Sequence, residues 1–148
     1  MDILRRNTDY ALRLMIGLAR RHDDGSVSTR VLAGEQEVSY QLACKLMQRL
    51  HGAKLVASCM GPKGGFRLSR EAGQISLLEV VEVIQGPLRL NRCLLKETAC
   101  PRGGSCPIRA RISELQGQME EYLRGVTLGD LVAGGSAVER RQLRRRSK

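Results

Sequence analysis

Three cysteines, Cys93, Cys100 and Cys106, fall within the fourteen residues CLLKETACPRGGSC, separated by six residues and then five. Three thiols cannot all pair with one another, so a simple disulfide reading leaves one over. Thiolates bind zinc and iron–sulfur clusters, and three in one loop supply most of a four-ligand site. Zinc motifs usually pair their ligands at roughly two- to four-residue spacing, and these gaps are longer. A cluster is larger than a single ion and can be reached by thiolates spread round a wide loop. Gly103 and Gly104 would let the loop fold around it. Cys106 stands where a long helix is predicted to begin, and the positive end of a helix dipole favours a net-anionic cluster. Cys44 and Cys59 are isolated along the chain and read as structural.

The elements that must position such a loop can be read from periodicity and caps. Thr8 is expected to cap a first helix with apolar positions Ala11, Leu12, Met15, Ile16, Leu18 and Ala19. DDGSVS reads as a turn, with Ser28 or Thr29 capping a short helix. Ser39 caps a third, whose buried side would be Leu42, Ala43, Leu46, Met47 and Leu50. LVASC and FRLS read as two strands joined by the turn MGPKGG. Ser76 and Glu79 form a capping box before LLEVVEVI, which should end at Gly86 and Pro87. Pro107 suits the first turn of a long helix. In that helix Ile108, Ile112, Leu115, Met119 and Tyr122 recur by fours and threes, a narrow seam suited to a partner helix of the same kind.

Helix, short helix, helix and a two-stranded ribbon is the order of a winged helix-turn-helix, so the expected fold is mainly α with a small β-wing. The third helix would enter the DNA major groove. With its leucines turned inward, Gln41, Cys44, Lys45 and Gln48 lie on its outer face, with Ser39 and Tyr40 at its start. Amides and an ammonium suit base edges and phosphates. The wing turn offers Lys63 at its tip and Arg67 on the returning strand, with glycines that let backbone approach a phosphate. The expected organisation is a DNA-binding domain over 1–86, a cysteine loop over 87–106, a dimerisation helix region over 107–133 and a basic disordered tail over 134–148.

Composition is consistent with this organisation. Hydrophobic residues make up 42% of the 148-residue chain and aromatics only 3%, which suits a core of packed aliphatic helices. The net charge is +10, of which +5 sits in the last ten residues, ERRQLRRRSK. The excess suits a polyanionic partner. The apolar stretch in the first twenty residues is broken by Asp9 and Arg13, too short and too charged to span a bilayer. A cytoplasmic protein is expected, in which five cysteines serve as metal ligands or buried thiols. No nucleophile–base arrangement is visible and the two histidines lie in separate segments, so the chain is not expected to be an enzyme.

TDYALRLMIGLA, the helix-turn-helix, GPKGGFRL, ISLLEVVEVIQGP and the three-cysteine loop stand in an order that resembles the IscR/NsrR/RirA, or Rrf-two, family of bacterial iron–sulfur transcription regulators. The resemblance covers roughly residues 1 to 133. It implies a homodimeric winged-helix repressor of palindromic double-stranded DNA operators, whose cluster state controls affinity. It also implies that Cys93, Cys100 and Cys106 are cluster ligands, and that Gln41, Lys45 and the wing face DNA. The chain departs from the pattern in places. The first cysteine gap is six residues where five is commoner in the family, and Arg109 stands where IscR-like members carry a ligating histidine. Cys44 replaces a base-reading carboxylate of those members. NsrR-like members use an aspartate near the start of the first helix, often from the partner subunit, and Asp9 matches it. This favours a 4Fe–4S cluster over a 2Fe–2S one. The signal implied is nitric oxide, oxygen, redox state or iron. A zinc- or thiol-based regulator is the alternative within the class, and a small electron-transfer or cluster-carrier protein the alternative outside it.

Overall fold

The computed structural model describes residues 3–134 apart from 97, 99 and 103. The basic tail expected over 134–148 lies outside the described residues from 135 onward. Helix α1 (Arg6–Arg20) is followed by α2 (Thr29–Glu35) and α3 (Tyr40–Gly52), then by strands β1 (Val56–Cys59) and β2 (Gly65–Leu68). Helix α4 (Leu77–Gln85) leads through the cysteine loop to α5 (Pro107–Gly125) and a last short helix, α6 (Leu128–Val132). The architecture is the expected one: a mainly helical chain with a two-stranded antiparallel wing.

Ser28 and Ser39 cap α2 and α3 as their spacing predicts, each accepting from a backbone N–H three residues on. Helix α1 begins differently. Thr8 does not cap it; the helix starts at Arg6, with Arg5 as a cap residue lacking a side-chain bond. Thr8 lies fully buried inside the first turn, and its hydroxyl donates to Gln85 Oε1 at 2.6 Å. Arg5 N–H donates to the same oxygen at 3.0 Å, and Gln85 Nε2 donates to the Ile3 carbonyl at 2.9 Å. A buried hydroxyl needs a partner. The last residue of α4 supplies it, together with the anchorage that the start of α1 lacks locally.

One aliphatic core joins α1, α2, α3, the base of the wing, α4 and α6. Leu14, Met15, Leu46, Met47 and Leu50 line it, and Leu42 packs at its edge. Helix α4 is apolar on two faces, as LLEVVEVI reads. Val80 and Ile84 enter this core, while Leu78 and Val81 join Leu88 in a second cluster against Met119 and Leu123 of α5. The capping box at Ser76 is present: Glu79 N–H donates to Ser76 Oγ at 3.2 Å, and Ser76 N–H donates to Glu79 Oε2 at 2.9 Å. Gly86, with φ of 82°, closes the helix in a conformation that favours glycine.

Helix α5 stops at Gly125, short of residue 133. The chain then turns back to the first domain. Leu77 N–H donates to the Val126 carbonyl and Leu128 N–H to the Ile75 carbonyl, both at 2.9 Å. Leu128 is fully buried in the main core. Thr127 and Asp130 form a second capping box, directly opposite the first. Their T-x-x-D spacing in TLGD is the sequence signal for it.

Glu79 bonds Arg70 as well as Ser76. Burial raises its pKa, but the Ser76 backbone N–H and the Arg70 guanidinium together outweigh burial and hold it below its ordinary value of 4.5. A depressed carboxyl contributes stability that is present above the unfolded-state pKa and is lost as pH falls through the folded-state value. Glu79→Gln should therefore lower Tm near neutrality by about 2–4 °C, consistent with a partly exposed pair. The gap should close as the pH drops below the ordinary carboxylate range. Thermal melts of both proteins from neutral to acidic pH check this.

Candidate functional site

The outer face of α3 is built from its inner one. Ala43, Leu46, Met47 and Leu50 are buried, which leaves Gln41, Lys45 and Gln48 exposed on the other side and Cys44 half-buried between. Ser39 is held as the cap. Tyr40, the first residue of the helix, is 45% exposed with the Arg30 guanidinium 4.4 Å from its ring centroid. Among the described residues no carboxylate is within ion-pair distance of Lys45, Lys63 or Arg67.

The wing is fixed to the segment that leads into α2. Strand register sets Ala57 opposite Arg67 and Ser58 opposite Phe66. Phe66 also exchanges both backbone hydrogen bonds with Val27, at 2.8 and 2.9 Å, so residue 27 acts as a third strand one residue wide. Ser26 Oγ donates to the Lys63 carbonyl at 2.6 Å. Gly65 allows this approach: a Cβ there would lie 2.1 Å from the Val27 carbonyl oxygen. Lys63 and Arg67 are exposed. The glycines of GPKGGF thus serve backbone packing as well as any contact at the tip.

The cysteine loop leaves α4 at Gly86 and is pinned at its root. Leu88 is 1% exposed in the second cluster. Arg89 Nη1 pairs with Glu120 Oε1 at 3.5 Å, and Leu90 N–H donates to Gln116 Oε1 at 3.2 Å. Cys93 lies in the short 3-10 turn Arg92–Leu94, Cys100 in a bend, and Cys106 at the cap position of α5 with no side-chain cap bond of its own. Pro107 opens that helix as its position predicts. All five cysteines are free and half-buried. The donor chemistry fits an iron–sulfur cluster: three thiols without disulfide partners, in a loop containing glycine. Among the described residues, however, no three His, Cys, Asp or Glu side chains converge closely enough to hold a metal ion. Asp9, expected to come from the partner subunit, lies exposed on α1 and pairs with Arg13 at 2.9 Å.

The α5 seam divides. Ile108, Leu115 and Tyr122, seven residues apart, are 68%, 52% and 46% exposed. Ile112 is half-buried, and Met119 turns toward its own chain's α4. No residue of α5 is fully buried. Sequence reasoning missed the long-range contacts, among them the Gln85 anchorage and the Arg30–Tyr40 stack, which joins residues ten apart on different helices and leaves no periodic signal. No helix is long and apolar enough to cross a membrane among the described residues.

Comparison with known proteins agrees with this geometry. The Rrf2 family profile, described as an iron-dependent transcriptional regulator, matches residues 4–134. The HTH-type transcriptional regulator IscR of Cronobacter sakazakii is 32% identical over 123 residues, which cover 83% of this chain and 75% of that protein. In structure, CymR, the global cysteine regulator of B. subtilis, superposes with a TM-score of 0.75 at 24% identity, covering 92% of this chain and all of that one. IscR of T. potens gives a TM-score of 0.73 at 24% identity, covering 91% and 89%. These relatives are regulators and not enzymes, and the winged helix-turn-helix read from the sequence is the fold they share. The chain belongs to the Rrf2 family of transcriptional regulators.

Proposed function

We propose that this regulator is a homodimeric repressor whose affinity for a palindromic operator is set by an iron–sulfur cluster. Cys93, Cys100 and Cys106 would hold the cluster, with Asp9 of the partner subunit as fourth ligand. The observation that carries this reading is three free, half-buried thiols in the single connection between the DNA-binding domain and α5. When bound, the cluster supplies a redox- and nitric-oxide-sensitive group, of 4Fe–4S type by likeness to NsrR-like members. The chain's own contribution is mechanical. The loop root is tied to Gln116 and Glu120 of α5, so drawing the thiols together would pull on that helix. Ligation by Asp9 would exchange its bond to Arg13 for the cluster, linking the same event to α1. DNA would be read by Ser39, Tyr40, Gln41, Lys45 and Gln48, with Lys63 and Arg67 of the wing on flanking phosphates.

A second reading has one observation in its favour. The three thiols do not converge among the described residues, and direct oxidation of a thiol needs no cluster cage. Anaerobic purification, followed by a visible spectrum and iron and sulfide assays, separates the two. Broad visible absorbance with stoichiometric iron and sulfide is expected; a colourless protein that binds DNA in a thiol-dependent way overturns the cluster reading.

Seven single-residue variants test the assignments. Cys93→Ala, Cys100→Ala and Cys106→Ala should each lose cluster absorbance on anaerobic reconstitution, whereas Cys44→Ala and Cys59→Ala should keep it. Asp9→Ala should assemble a cluster that decays faster and has an altered spectrum, since three thiolates remain. A spectrum and decay rate equal to wild type would leave Asp9 as the ion-pair partner of Arg13 alone. Leu115→Lys should set two ammonium groups face to face in the α5 seam and raise the dimer dissociation constant by roughly a hundredfold. Analytical ultracentrifugation of the variant beside wild type measures this. An intact dimer would place the subunit interface elsewhere.

A further inference from the structure

We propose that Arg30, held on the ring of Tyr40, is a DNA phosphate contact at the edge of the groove that α3 enters. The proposal rests on the DNA-binding reading above and adds to it a residue outside α3 and the wing. Its first support is charge. Several arginines of this domain are neutralised by carboxylates: Arg13 by Asp9, Arg21 by Glu35, Arg70 by Glu79. Arg30 is exposed and has no carboxylate within ion-pair distance among the described residues. Its cation is spent on a ring instead. The guanidinium carbon is 4.4 Å from the centroid of Tyr40, within stacking distance.

The chemistry of that contact leaves a ligand site open. A guanidinium seated over a ring uses its π face there and keeps in-plane N–H donors that match the oxygens of a phosphate. The ring also restricts a side chain that would otherwise lose rotamer freedom on binding. Position decides between phosphate and base. Arg30 is the second residue of α2, the first helix of the helix-turn-helix pair, and that helix crosses the DNA backbone while the second reads base edges. Tyr40 begins α3, so the stack bridges the two helices on the side where α3 presents its first residues.

The test uses a fluorescein-labelled random-sequence duplex, with binding followed by anisotropy between about 50 and 200 mM salt. Arg30→Gln should reduce the slope of log affinity against log salt by about 0.9 per chain, and by about 1.8 for a dimer. Arg124→Gln, on α5 and away from the helix-turn-helix, should not change it. Tyr40→Leu, which removes the ring, should weaken binding by about two- to five-fold, whereas in a Tyr40→Phe background, which keeps it, Arg30→Gln should still lower the slope by the same amount. In the Tyr40→Leu background, Arg30→Gln should have a smaller effect than in wild type. If Lys45→Gln lowers the slope and Arg30→Gln does not, the Arg30 assignment fails while DNA binding by α3 stands. If the wild type binds no duplex, both fail. Selection from a random-sequence duplex pool adds a further arm. A changed sequence preference for Arg30→Gln with an unchanged salt slope would put Arg30 on a base edge and overturn the phosphate assignment.

Discussion

The short antiparallel pairing of residues 75–77 with 126–128 is the constraint on which the architecture turns. Helix α5 buries none of its own residues fully and could not hold a fixed direction by packing alone. It is held along its second half and at its C-terminal end. Leu88, Arg89 and Leu90 fasten the preceding loop to α4 and to Gln116, Met119 and Glu120 of α5. Beyond Gly125, two backbone hydrogen bonds and the fully buried Leu128 return the chain to the main core. Capping boxes on both sides of this pairing start α4 and α6 from the same place. A helix tethered in this way can leave one stripe bare without losing its orientation.

Electrostatics sorts the surface in a similar manner. Carboxylates are placed where they serve the fold: Glu79 in a cap and an arginine bond, Glu120 at the loop root, Glu35 against Arg21. The face made by α3 and the wing shows the reverse, with Lys45, Lys63 and Arg67 unmatched among the described residues. A net charge of +10 is therefore not spread evenly in effect, because Arg13, Arg21, Arg70, Arg89 and Arg111 are each paired with a carboxylate. Polyanion binding depends on the uncancelled ones.

Much of this was legible in the sequence because the determinants are local. Ser39 three residues before Leu42, Ser76 three before Glu79, Pro107 at a helix start and the leucine spacing of α3 each specify their element within a few positions. Thr8 misled for the opposite reason. Its type suits a cap, but its hydroxyl meets Gln85, 77 residues away, and no local rule anticipates such a partner. The same holds for the return of Val126–Leu128 to residues 75–77, which a reading of one continuous region to residue 133 passes over. The candidate ligands were legible by type and loop, whereas their convergence depends on tertiary placement. The Arg30–Tyr40 stack was invisible for the same reason: each residue is ordinary on its own helix.

The clasp between Val27 and Phe66 bears on how fast this surface can work. A ribbon that ordered only as it met its target would slow productive encounters and lower affinity by the freedom surrendered at that moment. Here two reciprocal backbone bonds, the Ser26 hydroxyl and the side-chain-free Gly65 fix the ribbon while the chain folds. The distance between Lys63 and the outer face of α3 is then a property of the free molecule. On the proposed DNA-binding reading, a collision in the right orientation would need no reordering of the ribbon, which removes one cost from the encounter.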